Sequence, residues 1–458
     1  MYLKDTIAAI STPIGEGGIG IVRISGGAAE EIAGNIFSGT GKQSGGMQSH
    51  RFYYGEIIDP ESGDVLDEAM VVLMRSPRSY TREDVVEIQC HGGYLLVRKV
   101  LELVIRCGAR CAEPGEFTRR AFLNGRIDLL QAEAVIEVIR GKTETALALA
   151  QHQREGHLSK RISRIKEGIL TSLAFIEAYL DFPEDDIELP DCRQIETSIR
   201  ESLARIEELL DGFSEGKVLR EGVSVLIAGK PNVGKSSLLN TLLREKRAIV
   251  TSVPGTTRDI IEEVVNIKGL PVKLLDTAGI RDSEDEIEME GMRLTLEKIP
   301  LADLILFVVD ASRPFDNEDM LIKEAVCGHP YLLVLNKSDL PVEAVVPDEL
   351  GSAGTISISA RRGEGIERLR EAIFSLFIRS GARDGRDFTA LSQVRHRDAL
   401  ERARRRLESF LQSFPAETAI EFVALELRDA LHALGEVTGE TTPDDILDQI
   451  FSRFCIGK

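Results

Sequence analysis

Apolar residues recur every three to four positions in four stretches of the chain. Two stretches, Leu158 to Leu180 and Ile195 to Leu210, flank an acidic, proline-marked break at residues 183–190. Two more run from Leu400 to Leu411 and from Ile420 to Leu434. This spacing predicts amphipathic helices, because such residues share one face of an α-helix. Since each helix must bury its apolar face, we expect both pairs to pack into one bundle.

Short apolar runs, each ending at polar residues, dominate the segment between the two pairs of helices. These runs are Val223 to Ala228, Val272 to Leu275, Tyr331 to Leu335 and Thr355 to Ile358. Buried strands have this form. The segment therefore predicts an α/β unit inserted in the middle of the bundle, with its functional residues at the carboxyl ends of the strands.

The first 120 or so residues contain strand-like runs separated by glycine and proline. These runs are Thr6 to Ile10, Ile19 to Ile24, Met70 to Leu73 and Val85 to Ile88. They predict an α+β module. Gly15, Gly17 and Gly20 stand at G-x-G-x-x-G spacing, but a dinucleotide-binding loop must open a helix and a strand-like run follows here. We therefore reject a dinucleotide site.

A phosphate-binding motif follows the first of the central strands. Gly229, Gly234, Lys235 and Ser236 stand at G-x-x-x-x-G-K-S spacing. The glycines let backbone N–H groups close around phosphates at the positive end of the next helix. Lys235 would reach the β- and γ-phosphates, and Ser236 would bind Mg²⁺. For this motif alone, the alternative is a chance match in a strand-to-helix loop.

Two further elements would contact the phosphates. The stretch Asp276 to Gly279 follows a strand-like run, where a carboxylate can hold the metal shell and a glycine N–H can meet the γ-phosphate. Thr256 and Thr257 lie before it, in a loop long enough to fold over the nucleotide.

Two elements nearer the C-terminus would contact the base. Asn336, Lys337 and Asp339 follow the apolar run that ends at Leu335. A carboxylate at Asp339 can accept hydrogen bonds from N1–H and the amino group of guanine, and adenine offers neither in that arrangement. The stretch Ser359 to Arg361 would place a backbone N–H against the guanine oxygen. Five elements in this order predict a GTPase.

These patterns divide the chain into four segments. We expect an N-terminal domain at 1–120, the first part of a helical domain at 121–215, a GTPase domain at 216–378, and the second part of the helical domain with the C-terminal tail at 379–458. The predicted fold class is multidomain, α/β and α: an N-terminal α+β module, a discontinuous helical bundle, and an inserted P-loop GTPase domain with a Ras-like mixed sheet flanked by helices.

Composition narrows the functional class. The net charge of −19 argues against a protein whose surface is positive enough to bind nucleic acid nonspecifically. A local basic patch can still dock one folded RNA. The six cysteines show no paired zinc spacing, the N-terminus lacks the apolar core of a signal peptide, and no run approaches the roughly 18 apolar residues that span a bilayer. We expect a soluble cytoplasmic protein that does not enter membranes.

The C-terminus places Cys455 fourth from the end, as in a prenylation motif. Lipidation is not expected, because the chain ends in Lys458, Gly457 precedes it, and no run of basic residues leads up to the cysteine. We expect the tail to form part of a site, the alternative being a merely ordered terminus.

The whole chain resembles the MnmE (TrmE) family of tRNA modification GTPases. The resemblance rests on the domain order, on Gly229-x-Pro231-Asn232-x-Gly234-Lys235-Ser236-Ser237, and on the ending Phe454-Cys455-Ile456-Gly457-Lys458. The terminal Cys-x-Gly-Lys is the specific part, since the GTPase motifs are shared with ribosome-assembly GTPases.

The resemblance implies a cytoplasmic homodimer, joined through its N-terminal domains, that forms a heterotetramer with the flavin-dependent MnmG (GidA) subunit. Such complexes install a carboxymethylaminomethyl-type group on carbon 5 of uridine 34 of certain tRNAs. A tetrahydrofolate derivative, in the 5,10-methylene or 5-formyl form, carries the one-carbon unit. The folate contacts implied for this chain are Arg23, Glu87, Arg126 and Lys458, and Cys455 is a candidate for chemistry on the modification. Arg126 stands where the family often has lysine, which keeps the charge and changes the geometry.

Hydrolysis must depart from the usual small-GTPase design. Ile280 follows Gly279 where a glutamine would orient the attacking water, and the chain supplies no obvious arginine finger. The resemblance implies a K⁺ ion that neutralises developing charge, and Glu288 as the carboxylate that orients water. The acidic stretch around Glu288 also fits a mobile solvated loop that orders only when two GTPase domains meet.

The full set of predicted ligands follows from the motifs and the resemblance together. The predicted GTP-binding residues are Asn232, Val233, Gly234, Lys235, Ser236, Ser237, Thr251, Ser252, Val253, Pro254, Gly255, Thr256, Thr257, Asp276, Thr277, Ala278, Gly279, Asn336, Lys337, Asp339, Ser359, Ala360 and Arg361. The predicted metal ligands are Ser236 and Thr257 for Mg²⁺, and Asn232, Thr251, Val253 and Thr256 for K⁺. The predicted catalytic residues are Lys235, Glu288 and Cys455.

Two interpretations stay open at this point. The basic clusters Arg154 to Lys166 and Arg395 to Arg406 would contact RNA phosphates or form solvated helix faces, and the second interpretation is favoured. The chain as a whole would be a tRNA-modifying GTPase or a regulatory GTPase that binds RNA or an assembling ribosome. A folate site would favour the first, because an adaptor has no use for one.

Overall fold

The computed structural model describes residues 5–13, 15–39, 46–181, 192–245, 263–275, 297–344, 353–378, 391–414 and 420–458. The elements below are those of this described part of the chain.

The N-terminal residues form a seven-stranded sheet with the order β3-β4-β5-β6-β2-β1-β7. Its strands are β1 (Ile7–Ile10), β2 (Gly17–Ser25), β3 (Phe37–Gly39), β4 (Phe52–Ile58), β5 (Val65–Met74), β6 (Val85–Gly92) and β7 (Arg110–Cys111). Its helices are α1 (Ala29–Ile36), α2 (Tyr94–Arg106) and α3 (Glu116–Leu123). Apart from Thr6, the four predicted strand-like runs lie in strands, which confirms the α+β module. Strand β2 begins at Gly17, where a dinucleotide-binding loop would have to open a helix.

Five helices follow the N-terminal sheet. They are α4 (Leu129–Arg140), α5 (Glu144–Arg154), α6 (His157–Asp181), α7 (Cys192–Asp211) and α8 (Phe213–Glu221). Asp128 begins α4 with a capping box, in which its side chain accepts from the Gln131 backbone and the Gln131 side chain accepts from the Asp128 backbone. The predicted helices of the first half are thus α6 and α7.

The inserted unit is a six-stranded sheet with the order β13-β12-β11-β8-β10-β9. Its strands are β8 (Val223–Ala228), β9 (Glu263–Ile267), β10 (Leu270–Leu275), β11 (Leu304–Asp310), β12 (Tyr331–Asn336) and β13 (Thr355–Ser357). Its helices are α9 (Lys235–Glu245), α10 (Asn317–Val326) and α11 (Ile366–Phe377), with a 3₁₀ turn at Ile299–Leu301. Neighbouring strands are parallel except β9 and β10, which form a hairpin. The mixed sheet confirms the expected P-loop GTPase architecture.

Both faces of this sheet are covered, which explains its continuous apolar runs. Along β8, Val225 and Ile227 belong to the core on one face, while Leu226 and Ala228 belong to the core on the other. The alternation follows from the two-residue period of a strand.

The chain returns to the bundle with α12 (Val394–Ser413), α13 (Ile420–Thr438) and α14 (Asp444–Phe451). Helix α6 packs against α7 and α13, and α12 packs against the same two helices. Ile162, Ile199, Leu407 and Leu427, one from each helix, are fully buried in the shared core. The prediction of one bundle assembled from both halves of the chain is confirmed. Within the described residues, no helix is long and apolar enough to cross a bilayer.

Arg220 joins the two connections between the bundle and the inserted unit. It lies in the last turn of α8, donates from Nη1 to the Ser392 carbonyl oxygen at 3.0 Å, and pairs through Nε with Glu137 of α4 at 3.1 Å. Gly222, two residues further on, has φ of +80°, and a Cβ there would lie 2.6 Å from the Pro271 carbonyl oxygen. The first crossing therefore lies against the β9–β10 hairpin, and Arg220 links it to α4 and to Ser392, near the start of α12.

The C-terminal tail returns to the N-terminal sheet. Helix α14 and Phe454 pack with Leu129 and Ile136 of α4 in a small apolar cluster. Beyond this cluster, the Gly457 carbonyl oxygen accepts hydrogen bonds from Ser11 and Arg23. The C-terminal tail thus meets the N-terminal sheet at β2 and at the residue that follows β1.

Candidate functional site

The motif loop between β8 and α9 has the close packing that its two glycines require. A Cβ at Gly229 would overlap the Val308 carbonyl oxygen of neighbouring β11, and Gly229 has φ of +154°. A Cβ at Gly234, whose φ is +97°, would overlap Nδ2 of Asn336. The loop delivers Lys235, Ser236 and Ser237 to the first turn of α9, where backbone N–H groups lack partners within the helix. This is the geometry of an anion site.

Two lysines of the loop are held by acceptors. Lys235 donates from Nζ to the carbonyl oxygens of Gly229 and Lys230, at 2.7 Å each. Lys230 pairs with Asp316 at 2.6 Å and with Asp319 at 2.8 Å. Burial alone would lower the pKa of Lys230, but the hydrogen bonds that it donates to these carboxylates raise its pKa above the usual value. Lys230 therefore anchors the loop to the start of α10, whereas Lys235 is held by carbonyl oxygens of the loop itself.

Asn336 joins the phosphate-binding loop to the base-binding loop. Its side chain is 2% exposed, donates from Nδ2 to the Val233 carbonyl oxygen at 2.8 Å, and accepts at Oδ1 from the Ala360 N–H at 3.0 Å. Thr241 of α9 adds a bond to the Ala360 carbonyl oxygen at 2.9 Å. The amide of Asn336 is thus committed to two backbone groups, and it organises the site through both loops.

Asp339 presents the carboxylate expected to select guanine. Its Oδ1 accepts from the Ser359 hydroxyl at 2.7 Å, and its Oδ2 lies 3.7 Å from Nε of Arg362. The Ser359 hydrogen bond, and then the charges of Arg362 and Arg361, lower the pKa of Asp339. The carboxylate is ionised at neutral pH and can accept two donors side by side.

The motif analysis did not identify Asp310, although this residue supports the same edge of the sheet as Asp339. It ends β11, is 6% exposed, and receives Lys337 Nζ at 2.6 Å and the Ser312 hydroxyl at 2.7 Å. Burial would raise the pKa of Asp310, but the hydrogen bonds from Lys337 and Ser312 outweigh it and lower the pKa. The available signal was an acidic residue closing the apolar run that starts at Leu304.

A second cluster lies where the tail meets the N-terminal sheet. Arg23 of β2 and Glu87 of β6 stand opposite each other, and Nε and Nη2 of Arg23 contact Oε1 of Glu87 at 2.9 and 2.8 Å. The Arg23 guanidinium also lies over the rings of Tyr80 and Phe117, at 5.6 and 5.7 Å from their centroids. These contacts hold a charged pair in a largely covered position.

Arg126 reaches the same aromatic ring. Its guanidinium lies 4.8 Å from the Tyr80 centroid and donates to the Tyr80 carbonyl oxygen at 2.7 Å. The Tyr80 hydroxyl in turn pairs with Thr118 at 2.9 Å. Sequence reasoning missed Tyr80, because its only local signal was an aromatic residue in the loop between β5 and β6.

The tail completes this cluster. A Cβ at Gly457, whose φ is +90°, would overlap the Ile10 carbonyl oxygen, so the tail fits closely. Burial, and then the charge of Arg23, lower the pKa of Lys458, while Glu87 and Cys455 act in the opposite direction. Cys455 is exposed beside it, and its carbonyl oxygen accepts from the Gly115 N–H at 3.4 Å. Arg23, Glu87, Arg126 and the tail that ends in Lys458 therefore lie in one region of the fold.

Comparison with known proteins decides the family. The family model described as "MnmE helical domain" matches residues 129–455, and "GTP-binding protein TrmE N-terminus" matches residues 6–126. The chain is 64% identical over 458 residues to the tRNA modification GTPase MnmE of Geobacter metallireducens, covering 100% of both chains. The chain belongs to the MnmE family of tRNA modification GTPases. It is also 61% identical to the MnmE of Geobacter sulfurreducens and 47% identical to that of Carboxydothermus hydrogenoformans, again over 100% of both chains.

Comparison with solved structures gives only weak structural similarity. Aquifex aeolicus Era bound to GDP and aluminium fluoride is 27% identical and aligns with 40% of this chain and 66% of its own, with a TM-score of 0.26. A score this low supports no structural conclusion.

Several of the predicted site residues lie outside the described residues. They are Thr251, Ser252, Val253, Pro254, Gly255, Thr256, Thr257, Asp276, Thr277, Ala278, Gly279 and Glu288. The strand that leads to Asp276 is described: β10 runs parallel to β8, with Leu275 opposite Leu226. The chain thus leaves the sheet at the edge that carries the phosphate-binding loop. The assignments of these twelve residues stay predictions.

Several arginines of the second basic cluster form ion pairs with acidic neighbours. On α12, Arg402 pairs with Glu436 and Arg404 pairs with Glu401 and Glu408. This arrangement agrees with the solvated, ion-paired face favoured from the sequence. In the described residues, no group of three or more His, Cys, Asp or Glu side chains is placed to hold a metal ion.

Proposed function

We propose that this GTPase installs a carboxymethylaminomethyl-type group on carbon 5 of uridine 34 in tRNA, together with the flavin-dependent MnmG subunit and a tetrahydrofolate one-carbon donor. The observation that carries the proposal is that Arg23, paired with Glu87, and Arg126 both lie against the ring of Tyr80, and that the tail ending in Lys458 contacts Arg23 through the Gly457 carbonyl oxygen. These residues come from distant parts of the chain, and an RNA adaptor would have no use for their convergence.

The donor set suits a reduced folate. Both contacts from Arg23 go to Oε1 of Glu87, and Oε2 has no hydrogen-bond partner among the described residues. A carboxylate oxygen in this position can accept the amide and amino donors of a pterin ring. Arg126 and Lys458 would hold the anionic tail of the cofactor, and the folate would supply the one-carbon unit in the 5,10-methylene or 5-formyl form. Cys455, exposed at the edge of this site, is the proposed thiol for chemistry on the modification.

The proposed nucleotide is GTP with Mg²⁺. Lys235 would exchange its two carbonyl acceptors for the β- and γ-phosphates, which are stronger acceptors because they are charged. Ser236 in the first turn of α9 and Thr257 would ligate Mg²⁺. Ser359, Ala360 and Arg361 would surround the base that Asp339 selects, and the backbone of Val233 and Ser237 would line the phosphate site.

Hydrolysis is proposed to depend on K⁺ and on Glu288. Asn232 projects from the phosphate-binding loop with φ of +62°, in an exposed position where its side chain can meet a cation. The remaining proposed K⁺ ligands are Thr251, Val253 and Thr256. We expect faster hydrolysis in K⁺ than in Na⁺ at equal ionic strength, and equal rates would contradict this part. Glu288→Ala should slow hydrolysis with little loss of GTP affinity, and strong loss of binding would mean that the assignment is wrong.

The outer face of the N-terminal sheet supports a homodimer. Phe52 and Tyr54 of β4 are 52% and 55% exposed, Met70 of β5 is 42% exposed, and all three share the face that carries Arg23 and Glu87. An apolar patch of this kind marks an association surface. Met70→Lys should weaken the dimer in light scattering over a dilution series, while Leu321→Lys, at an exposed apolar position of α10, should not. Equal dimerisation of both variants would contradict the proposal.

Binding of 5-formyltetrahydrofolate, measured by calorimetry, tests the proposed function. We expect wild-type protein to bind, and Glu87→Gln and deletion of Lys458 to weaken binding at least about tenfold, because each removes a charged hydrogen-bond partner. Arg98→Gln on the exposed face of α2 is the matched control and should bind normally. Absence of binding to the wild-type protein would favour the alternative, a regulatory GTPase that binds RNA or an assembling ribosome.

A further inference from the structure

The corner between α4 and α5 contacts two distant parts of the molecule. Arg140 lies in the last turn of α4, and Thr143 is the N-cap of α5, accepting from the Ala146 N–H at 3.2 Å. Thr143 is 6% exposed. Two residues separate Arg140 from Thr143, so a displacement at one of them reaches the other through a short, structured segment.

One side of the corner holds the β9–β10 hairpin of the GTPase unit. Thr143 donates from Oγ1 to the Gly269 carbonyl oxygen at 2.8 Å, and a Cβ at Gly269 would overlap Oγ1 of Thr145. The turn is tight, because Lys268 and Gly269 have φ of +53° and +93° and Asn266 accepts from the Gly269 N–H at 2.7 Å. The hairpin tip therefore packs closely against the start of α5, with no space for one added carbon atom at Gly269.

The same hairpin connects the two stretches predicted to contact the phosphates. Residues 251–257 precede β9, and residues 276–279 follow β10. Strand β9 pairs with β10 over its whole length, from Ile267 opposite Leu270 to Glu263 opposite Leu274. A displacement of either strand at the open end of such a paired hairpin therefore also displaces its tip.

The other side of the corner holds the C-terminal tail. Arg140 donates from Nη2 to the Arg453 carbonyl oxygen at 2.8 Å, two residues before Cys455. From Cys455 the tail continues to Gly457, whose carbonyl oxygen accepts from Arg23 at 3.3 Å and from Ser11 at 3.2 Å. Arg140 thus fixes the start of the segment that carries the proposed thiol and Lys458.

We propose that the corner at residues 140–145 couples the nucleotide state of the GTPase unit to the site around Arg23 and Cys455, with Thr143 and Arg140 as its positioning residues. Chains of hydrogen bonds and rigid elements can carry coupling energy between separated sites. This lateral route is distinct from the two chain connections that Arg220 joins. The inference rests on the proposed function, since it relates the GTP cycle to the site at the tail.

The test measures the alkylation rate of Cys455 by iodoacetamide, resolved by peptide mass spectrometry. Full-length protein is compared with GDP and with a non-hydrolysable GTP analogue, both with Mg²⁺ and K⁺, and exposed Cys111 and Cys327 serve as internal references. We expect the Cys455 rate of the wild-type protein to differ at least about fivefold between the two nucleotides, the lower end of usual coupling.

Matched variants separate coupling from folding. Thr143→Asp keeps an efficient N-cap but cannot donate to Gly269, Thr143→Ser keeps both functions, and Arg140→Met keeps the side-chain stem without the donor. We expect the nucleotide-dependent difference to vanish in Thr143→Asp and Arg140→Met and to persist in Thr143→Ser, with GTP binding unchanged in all three. A wild-type rate independent of nucleotide overturns the proposal, and so does a difference that survives in either Thr143→Asp or Arg140→Met.

Folate binding on the same preparations distinguishes the two kinds of failure. Wild-type protein that binds 5-formyltetrahydrofolate but shows no nucleotide-dependent Cys455 rate refutes the coupling and leaves the proposed function standing. If wild-type protein does not bind 5-formyltetrahydrofolate, the folate assignment is refuted. The ratio of the Cys455 alkylation rates with GDP and with the GTP analogue still tests the coupling.

Discussion

Removal of the Asn336 side chain tests the organisation of the nucleotide site. The amide is buried and joins the Val233 carbonyl oxygen of the phosphate-binding loop to the Ala360 N–H of the base-binding loop. Asn336→Ala leaves one acceptor and one donor without partners. Gly234 also packs directly against Nδ2 of Asn336, so the substitution removes a wall of the loop.

The size of the effect follows from these two groups. An unpaired buried polar group costs about 1–3 kcal/mol. Truncation leaves space for water beside both groups, so we expect about 1–2 kcal/mol for each and about 2–4 kcal/mol for the two together. At about 1.4 kcal/mol per factor of ten, nucleotide affinity should fall roughly 30- to 700-fold. GTP and GDP should lose equally, because neither group lies on a γ-phosphate contact.

The assay is titration with fluorescent GDP and GTP analogues in the presence of Mg²⁺. Asn317→Ala, at an exposed position in the first turn of α10, is the matched control and should bind as wild type. Affinity of Asn336→Ala within about threefold of wild type for both nucleotides would refute the reasoning. A loss confined to GTP would also refute it, since it would place Asn336 at the γ-phosphate.

Three further predictions concern base selection, folding and pH. Asp339→Ala should abolish a preference for GTP over ITP of at least about tenfold, because ITP lacks the amino donor, and competition binding that shows the preference intact would contradict the assignment. Arg120→Met should lower the free energy of unfolding of the N-terminal domain by about 3 kcal/mol in urea denaturation, because Arg120 is 4% exposed and balances three partly covered carboxylates. A change below about 1 kcal/mol would show that solvent already compensates them. Burial lowers the pKa of His396 from 6.5 despite its 2.7 Å contact with Glu133, so the stability due to the neutral imidazole is complete above pH 6.5 and is lost as pH falls through the lowered pKa. Denaturation midpoints should therefore drop below pH 6.5 in wild type and drop less in His396→Gln, and equal drops would contradict this.

The neutral form of His396 also agrees with its surroundings. Its Nε2 contacts Glu133, and its Nδ1 has no hydrogen-bond partner among the described residues. A neutral ring with the proton on Nε2 leaves only an acceptor unpaired, whereas a charged ring would leave a buried N–H donor unpaired. Arg395 satisfies the other oxygen of Glu133 at 3.0 Å.

The helical bundle could be predicted because its signal is local. Residues such as Ile162 and Leu407 repeat at helical spacing, and the only way to bury both stripes was to pack them together. The strand ends of the GTPase unit were predictable for a similar reason, since Gly229 to Ser236 and Asp339 carry their chemistry in their spacing.

The clusters that depend on tertiary contacts could not be found in this way. Tyr80 acquires its position from Arg23, Arg126 and Thr118, which lie tens of residues away along the chain. The organising role of Asn336 depends on two loops that meet only when β8, β12 and β13 align. For the site at the tail, the residue patterns alone were insufficient, and the family resemblance supplied the four residues that the fold brings together.

The most direct test of the account is nucleoside mass spectrometry of bulk tRNA from a strain that lacks this protein, complemented with wild type, Lys235→Ala or a chain without Lys458. The account predicts that 5-carboxymethylaminomethyl-type uridines are lost in the deletion strain and restored only by the wild-type chain. An unchanged uridine profile in the deletion strain would contradict the central claim.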